Sequence, residues 1–187
     1  MTVSDWTTDI EYKLLDQAKA YDVAALAEIY DHYEVKIYGY IYHRVGNQAV
    51  AQDLTSQVFL RMLEAIQNER AWQSSFSGWL YRIAHNLIID HYRRRARSTQ
   101  VSFDDMPALV SGLEGPERAA ERALAAESLR VAINRLTEDQ AQVVTLRFLA
   151  GMSIAEVAES TGKTEGAVKA LQYRAVMSLR RLMEHQA

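Results

Sequence analysis

The fold turns on the stretch Ser153–Leu182, SIAEVAESTGKTEGAVKALQYRAVMSLRRL. Ser153-Ile-Ala-Glu156 has the form of a capping box: the serine hydroxyl accepts from an early helix N–H, and the glutamate three residues on reaches back to the serine N–H. Ala158 offers a small side chain where a second helix can cross. Gly162, four residues later, supplies the positive φ that a sharp turn requires. Thr164 can cap the next helix, with Glu165 at its positive end. Val168, Leu171, Ala175, Leu179 and Leu182 then recur at spacings of three or four, one apolar helix face, and Ile154 and Val157 complete the inner side. The pattern predicts a helix-turn-helix. Its outward residues, Lys163, Thr164, Lys169, Gln172, Tyr173 and Arg174, carry groups suited to phosphates and base edges in a major groove. A plain helical hairpin would share the Ala158/Gly162 spacing; the basic outer face is what favours DNA.

Working outward, Thr137-Glu-Asp-Gln140 repeats the capping-box form. Helices are expected at Glu117–Asn134, Glu138–Leu149, Ile154–Ser160 and Glu165–Met183. Upstream, the periodicity predicts helices at Ile10–Lys19, Val23–His43, Asn47–Gln67 and Phe76–Arg95. Strand patterns are nearly absent. Between the two sets, Ser98–Gly115 has no sustained helical period. Both prolines of the chain, Pro107 and Pro116, fall at or beside it. It reads as a linker, because so long a structureless loop is unusual inside a compact domain. The expectation is an all-α chain of two small helical domains, 1–97 and 117–187, joined by a flexible linker at 98–116.

The 187 residues contain no cysteine, which excludes disulfides and thiolate metal sites. No apolar run reaches the ~18–20 residues of a membrane helix, and Met1–Ile10 lacks the basic start of a secretory signal. A soluble, cytoplasmic protein without direct membrane insertion is the expectation. The formal charge is -3. Free-standing nucleic-acid binders are usually basic, so any DNA contact here must be local and assisted by a larger partner.

The basic charge is indeed local. From Arg82 to Arg97 there are five arginines (82, 93, 94, 95 and 97) against one acid, Asp90. On the same predicted helix Leu80, Ile83, Ala84 and Leu87 form a core face, while Trp79, Arg82, Asn86, Asp90 and Arg93 form a separate stripe. Arginines at a helix C-terminus offset its dipole, but this cluster exceeds what capping needs. With Trp72, Phe76, Trp79, Tyr81 and Tyr92 nearby, it fits a single-strand grip, in which aromatics stack bases and cations track the backbone.

Two sets of motifs lie in order along the chain. The first is Arg44-Val-Gly-Asn47, Asp53-Leu-Thr-Ser-Gln-Val-Phe-Leu-Arg61, Trp79-Leu-Tyr-Arg-Ile-Ala-His-Asn86 and Ile89-Asp-His-Tyr-Arg-Arg-Arg95. The second is Leu136-Thr-Glu-Asp-Gln140, Leu146-Arg-Phe148, Gly151-Met-Ser-Ile-Ala-Glu-Val-Ala158 and Thr164-Glu-Gly-Ala-Val-Lys169. Together they resemble the bacterial extracytoplasmic-function (ECF) sigma factors, the small specificity subunits of RNA polymerase, from about Val23 to Met183. The resemblance implies core RNA polymerase and promoter DNA as partners, and an anti-sigma factor as a regulator. It implies a polymerase-binding stripe at Asp53, Gln57, Leu60, Arg61 and Glu64. It implies a minus-ten reader made of Ser74, Ser75, Phe76, Trp79, Arg82, Asn86, Asp90, Arg93, Arg94, Arg95 and Arg97, with a base captured near Ser74–Phe76. It implies a minus-thirty-five reader made of Lys163, Thr164, Glu165, Lys169, Gln172, Tyr173 and Arg174. Linker acids Asp104, Asp105 and Glu114 would thread toward the RNA exit path. Gln52 and Ser56-Gln57 depart from the family pattern, which has more acids there.

A conventional helix-turn-helix regulator would explain the second half but leave Trp79–Arg97 idle. An enzyme finds little support: the five histidines are scattered, His85 and His91 lack the i, i+4 spacing of a helical metal pair, and no nucleophile elbow or phosphate loop occurs. Glu138 and Glu156 read as capping acids. No cofactor and no metal are expected.

Overall fold

The computed structural model describes residues 8–68, 72, 75–97 and 116–184, with backbone alone at 8–9 and 116–123. The expected linker, its acids Asp104, Asp105 and Glu114, and Ser74 lie outside the described residues. Helices run in the order α1 (Thr8–Lys19), α2 (Val23–Val45), α3 (Gln48–Gln67), α4 (Phe76–Arg97), α5 (Pro116–Asn134), α6 (Glu138–Val144), α7 (Ile154–Thr161) and α8 (Glu165–Glu184). No strand occurs among the described residues.

The ends are set by local chemistry. Asp22 caps α2 by accepting from Ala25 N at 2.9 Å, and Asn47 caps α3 by accepting from Val50 N at 2.8 Å. Gly46 separates these helices at φ 69°, and its N–H closes on the Tyr42 carbonyl at 2.8 Å. Tyr21 ends the α1–α2 turn at φ 61° without being glycine. Its position was not legible from composition.

Helices α1 to α4 pack around Ile29, Ile37, Ile41, Leu54, Val58, Leu80, Leu87 and Ile88, all fully buried. Each such side chain contributes roughly 1.5–3 kcal/mol by leaving water. In the second half, Val143, Leu146, Met152, Val157, Ala158 and Val168 form the inside of the helix-turn-helix, as the spacing predicts for the last three. These residues belong to the same contiguous buried cluster as the first half. The halves are therefore packed on one another, α4 against α7 and α2 against α5 and α6's continuation. The two helical domains that the sequence predicts thus share one buried cluster.

Residues Thr145–Leu149 depart from the single helix expected over Glu138–Leu149. They form a π-helical turn, closed by Ala150 N donating to the Thr145 carbonyl at 3.0 Å. Leu146 stays buried, while Phe148 is 57% exposed.

Gly46 is fixed by two constraints. Its φ disfavours any side chain, and the guanidinium of Arg130 on α5 occupies the place where a Cβ would stand. Gly46→Ala is expected to destabilise the protein by roughly 1–3 kcal/mol, read as a lower urea midpoint at unchanged slope. An unaltered midpoint would show that neither constraint holds.

Candidate nucleic-acid interface

The first face is α4. Its inward residues, Phe76, Leu80, Tyr81, Ala84, Leu87 and Ile88, are buried, which turns Trp79, Arg82, Asn86 and Asp90 outward. Phe76 is 3% exposed and packs edge-on against Tyr33 and Trp72, with centroids at 5.3 and 4.6 Å. It forms the floor beneath the aromatic group and offers no open face of its own. Trp79 is half-buried and leans on Trp72 at 5.7 Å, while the Lys19 ammonium sits 5.2 Å over the Trp72 ring. Trp79 is thus the outermost ring of a supported stack. Ser75 caps the start of α4, its hydroxyl accepting from Gly78 N at 3.1 Å.

At the other end of α4, Arg93, Arg94, Arg95 and Arg97 are exposed. Asp90 lies 3.9 Å from Arg93, at the limit of an ion pair. Tyr92 donates its hydroxyl to the Arg44 carbonyl and ties this end to α2.

The second face is α8. Gly162 adopts φ 67° and ends α7, and Ser153 and Glu156 form the reciprocal cap at 3.2 and 2.7 Å. Thr164 accepts from Ala167 N at 3.2 Å, so its hydroxyl is the cap expected of it. Glu165, Lys169, Tyr173 and Arg174 are exposed along the outer side, with Lys169 3.6 Å from Glu165. Two expected members are otherwise engaged. Lys163 pairs with Asp139 at 3.0 Å. Gln172 turns inward and accepts from Arg147 Nε at 3.2 Å, because it lies one turn from Val168 on the buried side.

The third stripe lies on α3. Asp53, Leu60, Arg61 and Glu64 are exposed, and Gln57 is half-buried. Gln57 donates to Asp53 at 2.7 Å. Leu60 is 58% exposed, beside the Tyr30–Phe59 aromatic pair, an apolar spot ringed by charge.

The structure also adds partners that the sequence left unremarked. Arg44 is 3% exposed and pairs with Glu138 at 2.5 Å. Glu138 therefore does more than favour the start of α6. His85 Nδ1 stands 3.9 Å from the same carboxylate and 3.5 Å from Tyr40 Oη. Burial and then the Arg44 guanidinium hold the His85 imidazole below its ordinary range, against Glu138 and Asp139, which pull the other way. Burial and then Arg130 do the same to His43. Arg82 donates to the Ser160 and Glu159 carbonyls at 3.2 and 3.0 Å. Of these, only the invariably charged nature of arginine at a position flanked by apolar residues, Ile41 and Val45 around Arg44, could have signalled a buried partner.

Family models for Sigma-70 region 2 and Sigma-70 region 4 match residues 29–98 and 126–183. The ECF RNA polymerase sigma factor BldN of Streptomyces coelicolor is 41% identical over 175 residues, which are 94% of this chain and 66% of that protein. The chain thus spans just under two thirds of that relative's length. The ECF RNA polymerase sigma factor SigW of Bacillus subtilis is 30% identical over 182 residues, 90% of this chain and 94% of SigW. In fold, the chain is similar to CnrH solved with the cytosolic domain of CnrY, with a TM-score of 0.74 at 19% identity over 95% of this chain and 99% of that one. It is also similar to the sigma factor RpoE solved with the anti-sigma factor NepR from Bartonella quintana, with a TM-score of 0.65 at 19% identity over 84% and 96%.

The depressed histidines, His32 (down to about 4) and His91 as well as His43 and His85, predict a direction for pH. The unfolded chain binds protons near the ordinary histidine value of 6.5, and the folded chain only at lower pH. Their contribution to stability is complete above that value and is lost as pH falls below it. Urea midpoints should decline from pH 7 to pH 5, and His85→Gln should flatten part of that decline. A decline of equal steepness in the variant would remove His85 from the account.

Proposed function

The chain belongs to the ECF sigma factors, and on that premise we propose that it brings core RNA polymerase to specific promoters and helps open them, without catalysis of its own. The observation that carries this reading is α4. One helix presents a supported tryptophan, a polar stripe and a cluster of exposed arginines, an arrangement with no use in a protein that binds duplex DNA alone.

The division of labour follows the chemistry. Residues 1–97 form the domain that holds polymerase and the minus-ten element, and 117–187 form the domain that holds the minus-thirty-five element. The α3 stripe, Asp53, Gln57, Leu60, Arg61 and Glu64, offers charge around an exposed leucine as a polymerase contact. Trp79, Asn86 and Asp90 meet the opened strand, the Ser74–Phe76 segment borders the captured base, and the arginines 93, 94, 95 and 97 meet phosphates. Glu165, Lys169, Tyr173 and Arg174 meet the duplex from α8, with Thr164 and Lys163 at its entry. Unstacking a base costs a few kcal/mol, and stacking on an aromatic returns about 1–3 kcal/mol, so capture makes opening tolerable at a matching sequence.

The net charge of -3 fits a subunit whose two modest faces act together once polymerase holds them. The protein works where polymerase works, in the cytoplasm, and no helix among the described residues is long and apolar enough to cross a membrane. Phe148, Leu149, Val176 and Met177 are exposed on the second domain, and exposed apolar side chains of this kind suit a masking protein of the anti-sigma kind.

Run-off transcription with core polymerase on a genomic promoter library tests the reading. Defined starts should depend on the chain, and their absence would sink it. Trp79→Ala should weaken open complexes by about 1–3 kcal/mol. The triple change of Arg93, Arg94 and Arg95 to alanine should reduce the salt slope of promoter binding by roughly 2–3. Gel shifts without polymerase should show weak binding; tight specific binding by the chain alone would favour a conventional regulator.

A further inference from the structure

All the residues given to the minus-ten face follow α3 in sequence, yet α1 reaches the aromatic group of that face at two points. Glu11, Leu14, Leu15 and Ala18 fall at the i, i+3, i+4 and i+7 positions of one helix stripe. Leu14, Leu15 and Ala18 are buried in the shared core and seat α1 on α2. Glu11 and Lys19 stand at the two ends of this stripe, roughly 12 Å of helix apart. At the first end Tyr33 Oη donates to Glu11 Oε1 at 2.5 Å, and a hydrogen bond to a carboxylate is among the strong ones. The Tyr33 ring in turn meets Phe76 edge-on at 5.3 Å. At the second end the Lys19 ammonium lies over the Trp72 ring at 5.2 Å, with Asp16 3.7 Å from its Nζ. Trp72 lies between α3 and α4, outside any helix, so side-chain contacts and not a backbone ladder fix its ring. Trp72 and Phe76 meet at 4.6 Å, and Trp79 meets both, at 5.7 and 6.0 Å. The two lines of contact from α1, Glu11–Tyr33–Phe76 and Lys19–Trp72, therefore both end on Trp79.

We propose that α1 is a positioning element for strand opening, with Lys19 and Glu11 as its positioning residues. Lys19 clamps Trp72, Glu11 fixes Tyr33, and together they hold the Trp79 ring in the orientation that takes an unstacked base. A ring already held loses less freedom when a base stacks on it. More of the stacking free energy is then left to offset unpairing. Neither positioning residue touches the DNA. The inference rests on the promoter reading of α4.

Full-length variants with core polymerase test it on two templates, a duplex promoter and the same promoter pre-opened by mismatches at its minus-ten element. Permanganate reactivity of unpaired thymines gives the opening rate, and its dependence on polymerase concentration separates initial binding from opening. Lys19→Met keeps the length of the side chain and loses the charge. It should slow opening roughly three- to tenfold at unchanged initial binding, and the pre-opened template should erase the defect. Lys19→Arg keeps a cation over the ring and should open at nearly the wild-type rate. Tyr33→Phe keeps the ring against Phe76, releases Glu11, and should slow the same step. In a Trp6→Phe background only Trp72 and Trp79 emit, and Lys19→Met should make their emission easier to quench with acrylamide. Undiminished opening in Lys19→Met overturns the proposal. So does a defect that persists in full on the pre-opened template, or one confined to initial binding, because a merely destabilised fold gives those. A salt slope lowered by about 0.7–0.9 in Lys19→Met puts Lys19 on a phosphate and overturns its positioning role. An unchanged rate in Tyr33→Phe removes Glu11 from the clamp. Failure of the sigma reading looks different: wild type and variants then open no duplex promoter, the change in quenching is still seen, and the opening role falls with that reading.

Discussion

A guanidinium that is 3% exposed must be answered from within the fold, and Arg44 is answered from the other half of the chain by Glu138. Taking an arginine out of water costs several kcal/mol unless charge and hydrogen bonds compensate it. Here the compensation defines how α2 and α6 meet. Tyr92 donates to the Arg44 carbonyl, His85 stands beside the Glu138 carboxylate, and Arg130 fills the space over Gly46. This site adds to the apolar cluster that packs the second half against α2 and α4. Glu138 itself is half-exposed, so its carboxylate keeps contact with water on one side.

The same site explains how the chain combines a contiguous apolar cluster with a polar seam. Leu80, Leu87 and Ile88 anchor α4 from below, while its upper surface meets α7 through a glycine, a serine and carbonyl oxygens. Interfaces between domains of one chain are commonly more polar than cores, and movement across them is the default expectation. The apolar part sets where the halves rest, and the polar part lines the seam above it.

Much of this was legible in the sequence. Apart from the π turn at Thr145–Leu149, the helices of the described residues follow the expected spacing, and Asp22, Asn47, Ser153 and Thr164 cap them within three residues of themselves. The outer faces of α4 and α8 followed from the same periodicity, while the stripe on α3 was implied by the family resemblance. What the sequence hid is non-local. Arg82 and Lys163 look free on a helical wheel, yet their partners lie on other helices. Gln172 sits at the boundary of its helix's apolar stripe, and only the Arg147 contact settles its side. Phe76 has the composition of a stacking platform and the burial of a core residue.

The π turn at Thr145–Leu149 has a consequence of its own. In an uninterrupted α-helix the residues three and four past Leu146 share its buried side. The wider turn holds one residue more than an α-turn, and so rotates everything after it by about 100°. Leu149 owes its outward station to this surplus residue, and not to any polarity of its own. The length of that loop of backbone is therefore a determinant of surface chemistry. An insertion or deletion there would repaint the surface of the second domain without changing the kind of a single side chain.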